Sequence, residues 1–182
     1  MPIEKNKISY TVNLSKELDE LEITGNLRKK AAQAAGEVAL SSILEATEQE
    51  TSPVSRMRGF KALSDTYKKF KRKKGKGTKA NLRLQEDMLP SMDIIADKES
   101  FTIKITDPTE KKKAYNHNVG DTLPRRQFLP DDDEGQTLKP GIRKAYLKIL
   151  EEYKSAKPKA KPKQVEEEVP PVTGVIPFED LL

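Results

Sequence analysis

Ile8, Tyr10, Val12 and Leu14 alternate with Ser9, Thr11 and Asn13, and this period of two predicts a strand over residues 7–14 with one buried face. After Gly25-Asn26 the period changes. Leu27, Ala31, Ala34 and Val38, with Ala35, Leu40, Ile43 and Leu44, recur at helical spacing and predict the principal helix over residues 27–50. Its apolar face is rich in alanine, and such small side chains let a helix lie close to a sheet or to another subunit. Thr51-Ser52-Pro53 stops it, because the residue before a proline is pushed out of helical geometry.

Phe60, Leu63, Tyr67 and Phe70 fall at steps of three and four, which predicts a short amphipathic helix over residues 59–71. The following Lys71-Arg72-Lys73-Lys74-Gly75-Lys76-Gly77 crowds like charges beside two glycines, and both effects predict a flexible loop. Residues 82–92 carry two signals: Leu84, Met88 and Met92 are helically spaced, while Pro90 opposes a long element. Ile94-Ile95 and Phe101, Ile103, Ile105 flank the polar Asp97-Lys98-Glu99-Ser100, the pattern of an antiparallel hairpin. Residues 115–119 read as a further short strand or an extended edge. A last helix is predicted over residues 138–153, with Pro140 near its start, where a missing N–H is tolerated, and Ile142, Tyr146, Ile149, Leu150 and Tyr153 on one face.

These elements predict an α+β fold in which a small antiparallel sheet packs against a long N-terminal helix and a C-terminal helix. The composition changes at about residue 154, so we assign residues 1–154 to one domain and residues 155–182 to an extended C-terminal tail. Lys157-Pro158-Lys159-Ala160-Lys161-Pro162-Lys163 is a self-repelling linker that cannot bury itself. It leads to an apolar end in which Val175, Ile176, Phe178, Leu181 and Leu182 are either a docking peptide for a neighbouring protein or a frayed tail.

Composition narrows the chemistry. Of 182 residues, 35% are hydrophobic and 35% charged, which suffices for one core with little to spare. The absence of cysteine excludes a disulfide scaffold, a thiolate metal site and a cysteine nucleophile. No apolar run approaches the roughly 20 residues of a membrane span, and Met1-Pro2-Ile3-Glu4-Lys5 lacks the order of a secretory signal, so synthesis in the cytoplasm is expected. The net charge is +5, and nine Lys or Arg against one acid fall within residues 61–79, a solvated loop or a surface that meets phosphate.

Three pieces of the chain, in order, resemble the phage virion-morphogenesis family, the tail-completion proteins of long-tailed phages. The first is Ser52-Pro53 followed by Gly59-Phe60, Leu63-Ser64, Tyr67 and Lys71, just after the alanine-rich helix. The second spans residues 82–92. The third and most specific is Ala114-Tyr115-Asn116-His117-Asn118-Val119-Gly120 with Leu123-Pro124-Arg125-Arg126-Gln127-Phe128-Leu129. Asn118-Val119 stands where the family more often has a glutamine and an aromatic residue, and the Lys-Pro tail is outside the family pattern. The resemblance covers residues 26–153. It implies a small α+β subunit without enzymatic activity that forms a ring, expected to be a hexamer, at the virion neck. The implied neighbours are a portal, connector or stopper protein on one side and a tail-tube or terminator protein on the other, with genomic DNA passing through the channel.

The residues of the third piece suit that role. Pro124 fixes φ and holds Leu123 extended, Arg125 and Arg126 are either simple surface arginines or planar donor forks for carboxylates of a neighbouring chain, and Phe128 and Leu129 anchor the turn in the core. Arg125, Arg126 and Phe128 are therefore the subunit-interface candidates, and Lys71, Arg72, Lys73, Lys74 and Lys76 the candidates for a DNA-facing loop.

Material for catalysis is thin. A triad or a multi-histidine zinc site would rest on His117, the single histidine, which reads more simply as a packed or hydrogen-bonding side chain. Asp131-Asp132-Asp133-Glu134 lacks the ligand alternation of a calcium loop and reads as helix-entry charge. Gly75-Lys76-Gly77-Thr78 lacks the Walker interval. No catalytic residue, metal or cofactor is expected. The rival function is non-specific nucleic-acid binding, in which residues 61–79 grip phosphates while Phe60, Tyr67 and Phe70 stack on bases.

Overall fold

The computed structural model describes residues 8–82, 88–120, 123–131 and 135–155. The opening alternation becomes β1 (Ser9–Asn13), and the second apolar cluster becomes a hairpin of β2 (Met92–Ala96) and β3 (Ser100–Ile105). Both pair antiparallel with β3, giving the sheet order β1-β3-β2. Register puts Val12 and Ala96 on either side of Phe101, and Tyr10 and Ile94 on either side of Ile103. One face therefore carries Tyr10, Val12, Phe101, Ile103 and Ile105, all buried, while Thr11, Thr102 and the exposed Ile95 occupy the other. The hairpin turn is closed by Asp97, whose Oδ1 accepts the backbone N–H groups of Glu99 and Ser100, each at 2.7 Å.

The apolar face is covered by α2 (Asn26–Glu48) and α5 (Pro140–Ser155), so the molecule is α+β as the sequence predicts. Helix α2 turns Ala31, Ala32, Ala35, Gly36 and Ala39 inward. A β-carbon on Gly36 would stand 2.8 Å from Ile94 Cγ2 and 3.2 Å from Phe101 Cβ, so glycine here lets the helix lie close against the sheet. The alanine-rich face thus serves the sheet of its own chain. Helix α5 adds Ile142, Tyr146 and Leu150, and Tyr146 meets Phe101 edge to face at 5.6 Å and 80°. A short α1 (Ser15–Glu20), not anticipated from the sequence, buries Leu18 and reaches α5 through Glu17 and Arg143 at 3.2 Å.

Two local expectations are corrected. Residues 115–119 are not extended but form the last turns of α4 (Pro108–Val119). Asp107 Oδ1 accepts the N–H groups of Thr109 and Glu110 at 2.8 Å, Pro108 occupies the first turn, and Gly120 closes the helix in the left-handed region at φ 82°. The helix expected over residues 59–71 starts later, as α3 (Asp65–Lys73), because Ser64 caps it while Gly59 bridges to Thr51 and Phe60 N–H donates to Glu50 O at 2.7 Å. Arg72 and Lys73 therefore belong to a helix instead of a loop. Among the described residues, no helix is long and apolar enough to cross a membrane.

Candidate functional site

The residues that follow α4 fold back along its end. Arg126 N–H donates to His117 O at 2.8 Å, and Arg125 Nε donates to Asn118 O at 3.2 Å. Asn118 is buried, and its Oδ1 accepts the N–H groups of both Phe128 and Leu129 at 3.0 Å, so one side chain fixes the path of the returning strand-like segment. Gly120 permits the reversal, since a β-carbon there would lie 2.7 Å from Arg125 Cβ and 3.0 Å from its Cα. The loop after α2 then docks on this segment. Ser52 Oγ donates to Gln127 O at 2.6 Å, Lys139 N–H donates to Pro53 O at 2.9 Å, and Val54 bridges Leu138. Chain separated by 75 residues is thereby clasped by a buried polar contact.

Beside this clasp lies a small cavity of about 40 Å³ walled by Leu63, Tyr67, Lys71, Lys79, His117 and Arg126. Two of its cations are nearly enclosed, with Lys71 only 2% and Arg126 only 6% exposed. Lys71 Nζ donates to Lys79 O at 2.6 Å and to Asn81 Oδ1 at 3.0 Å. Arg126 Nε donates to Lys61 O at 3.2 Å. Among the described residues no carboxylate reaches either cation within ion-pair distance. Burial lowers the Lys71 pKa, opposed by the charges of Glu48 and Glu50 and reinforced by Arg126. Burial likewise lowers that of Arg126. The His117 imidazole is pushed down to about 4, first by burial and then by the Arg126 charge, and its buried Nδ1 has no hydrogen-bond partner.

Several expected site residues thus have other roles. Phe128 is fully buried in the core of its own chain, so its side chain is not available to a neighbouring subunit. Arg126 is interior, held by backbone carbonyl and cavity, and does not present a fork at the surface. Arg125 lies against the end of α4. Of the basic candidates, Arg72, Lys73 and Lys74 are exposed at the end of α3, Lys76 is half-buried, and Lys71 points inward. The aromatic face of α3 is inverted with respect to expectation: Tyr67 and Phe70 are 39% and 44% exposed, with rings 6.0 Å apart. The tail candidates Val175, Ile176, Phe178, Leu181 and Leu182 lie outside the described residues, as do Asp132, Asp133 and Glu134.

Sequence reasoning missed Ser52, Asn81 and Asn118 as organising side chains. Only Asn118 carried a local signal, an amide two residues before the glycine that ends a helix. No family model, no curated protein and no solved structure matches this chain.

Proposed function

We propose that this chain is a structural subunit of a tailed-bacteriophage neck, a tail-completion or head-tail joining protein that works by assembling into an oligomeric ring, a hexamer in the simplest form, and not by turning over a substrate. The observation that carries the reading is the convergence of the residues on which the resemblance rests. Ser52 touches Gln127, and Leu63, Tyr67 and Lys71 share a cavity with His117 and Arg126. The first and third pieces, far apart in the chain, build one local unit, as expected if they are parts of one pattern and not two chance likenesses.

The surface for assembly is then sought away from Phe128 and Arg126, on the exposed Tyr67–Phe70 pair and its basic flank Arg72, Lys73 and Lys74. Portal, connector or stopper proteins and tail-tube or terminator proteins are the partners this reading implies. Light scattering on the purified chain tests it directly, with a single closed oligomer expected. Particles assembled without the protein should show full heads and finished tails lying apart. A strictly monomeric chain, together with normal particles in its absence, overturns the reading.

The same exposed aromatics and cations favour a second reading, non-specific nucleic-acid binding. That function requires tight DNA retention at low salt, falling steeply as salt rises. A joining protein instead keeps its oligomeric state over the same range.

A further inference from the structure

Lys71 and Arg126 present an unusual balance of charge. Removing a cation from water is costly unless an anion or a full set of acceptors replaces the lost hydration. Among the described residues Lys71 Nζ has two acceptors for three N–H groups, both neutral, and the guanidinium of Arg126 has one, on Nε. Among the described residues, the acids whose charge acts on Lys71 are Glu48 and Glu50. Glu48 takes the Asn81 amide at 3.1 and 3.2 Å and Glu50 takes the Ala80 N–H, and neither lines the cavity. Lys79, exposed at the rim, adds a third cation, which donates from Nζ to Glu48 O at 3.4 Å and stands 4.0 Å from the Glu48 carboxylate.

We infer that the cavity between α3, the residues after it and the segment following α4 is a binding site for a phosphate group, either inorganic phosphate or a terminal phosphate monoester, held by Arg126, Lys71 and Lys79. Three features select this ligand. The space of about 40 Å³ is roughly three times that needed for one water, enough for a small oxyanion but not for a base or sugar. The cations come from three different segments, and three separate cations match the several oxygens of a tetrahedral anion better than the two oxygens of a carboxylate. Their depth excludes the backbone of duplex DNA, whose diesters cannot follow a single phosphate to groups only 2% and 6% exposed. Every group that would hold the anion belongs to one chain.

Calorimetric titration of the full chain with inorganic phosphate, at ionic strength held constant with sodium chloride, tests the assignment. Saturable binding of one phosphate per chain is expected. Losing a charge-assisted contact should weaken it at least about tenfold in Arg126→Gln and in Lys71→Met, with Lys148→Gln on α5 unchanged. Should either buried variant fail to fold, as judged by circular dichroism, Lys79→Gln at the rim keeps the test intact, with a drop of several-fold expected. Absence of saturable binding by the unmodified chain overturns the proposal, as does undiminished affinity in every folded variant. An equal response to acetate overturns the choice of phosphate. Displacement of phosphate by duplex DNA lacking terminal phosphates overturns the choice of a free or terminal group over the nucleic-acid backbone.

Discussion

The two halves of this molecule are held together by different physics. Where the sheet meets α2 and α5, stability comes from area: Phe101, Ile103, Ile105, Ile43 and Leu150 are fully buried, and alanines with Gly36 bring the layers close. Where the loop after α2 meets α3 and the end of α4, buried side chains such as Val54, Phe128 and Leu129 are accompanied by buried polar contacts. Placement there depends on individual polar atoms, namely Ser52 Oγ, Asn118 Oδ1 and Lys71 Nζ. A dispersed apolar contact tolerates small errors, whereas a single acceptor shared by two buried N–H groups has no substitute. The apolar half is the scaffold, and the polar half is where a binding site can be built.

The most severe break belongs to the scaffold. Phe101→Ala removes the ring that meets Tyr146 and leaves a cavity beside Gly36, and a loss of about 3 to 5 kcal/mol is expected in urea denaturation. The polar half answers to pH. Because burial holds the folded His117 pKa near 4, below the usual 6.5, the unfolded chain binds the extra proton between those values. Stability should therefore be full above pH 6.5 and fall by about 3 kcal/mol as pH drops towards 4. His117→Gln should flatten that slope, and an unchanged slope would show that the imidazole is not responsible. Asn118→Ala deprives the Phe128 and Leu129 N–H groups of their common acceptor, for a loss of about 2 kcal/mol. Hydrogen exchange at those two amides should rise well beyond that of the sheet. Asp107→Ala, which removes the cap of α4, should cost about 1 kcal/mol and fray only that helix.

Phe70 and Lys71 mark where sequence reading and structure part. Apolar spacing put the aromatics of α3 inside and its lysines outside, yet Phe70 is exposed and Lys71 is enclosed. Periodicity ranks side chains by their preference for water but does not know that Lys79 O and Asn81 Oδ1 will stand where Lys71 ends. The helix α4 is a different kind of miss. Its start and stop were present in Asp107-Pro108 and Gly120, but the mixed run between them has no clear apolar face, so caps outweighed pattern.

The sequence by itself determined the two strands of the hairpin, β1, the alanine-rich helix and the proline-led last helix, because each advertises its buried face at a local period. Tertiary structure alone decided that Arg126 and Lys71 share a cavity and that Ser52 holds Gln127. Those outcomes join atoms tens of residues apart, and a polar pair at such separation leaves no periodic trace in either segment.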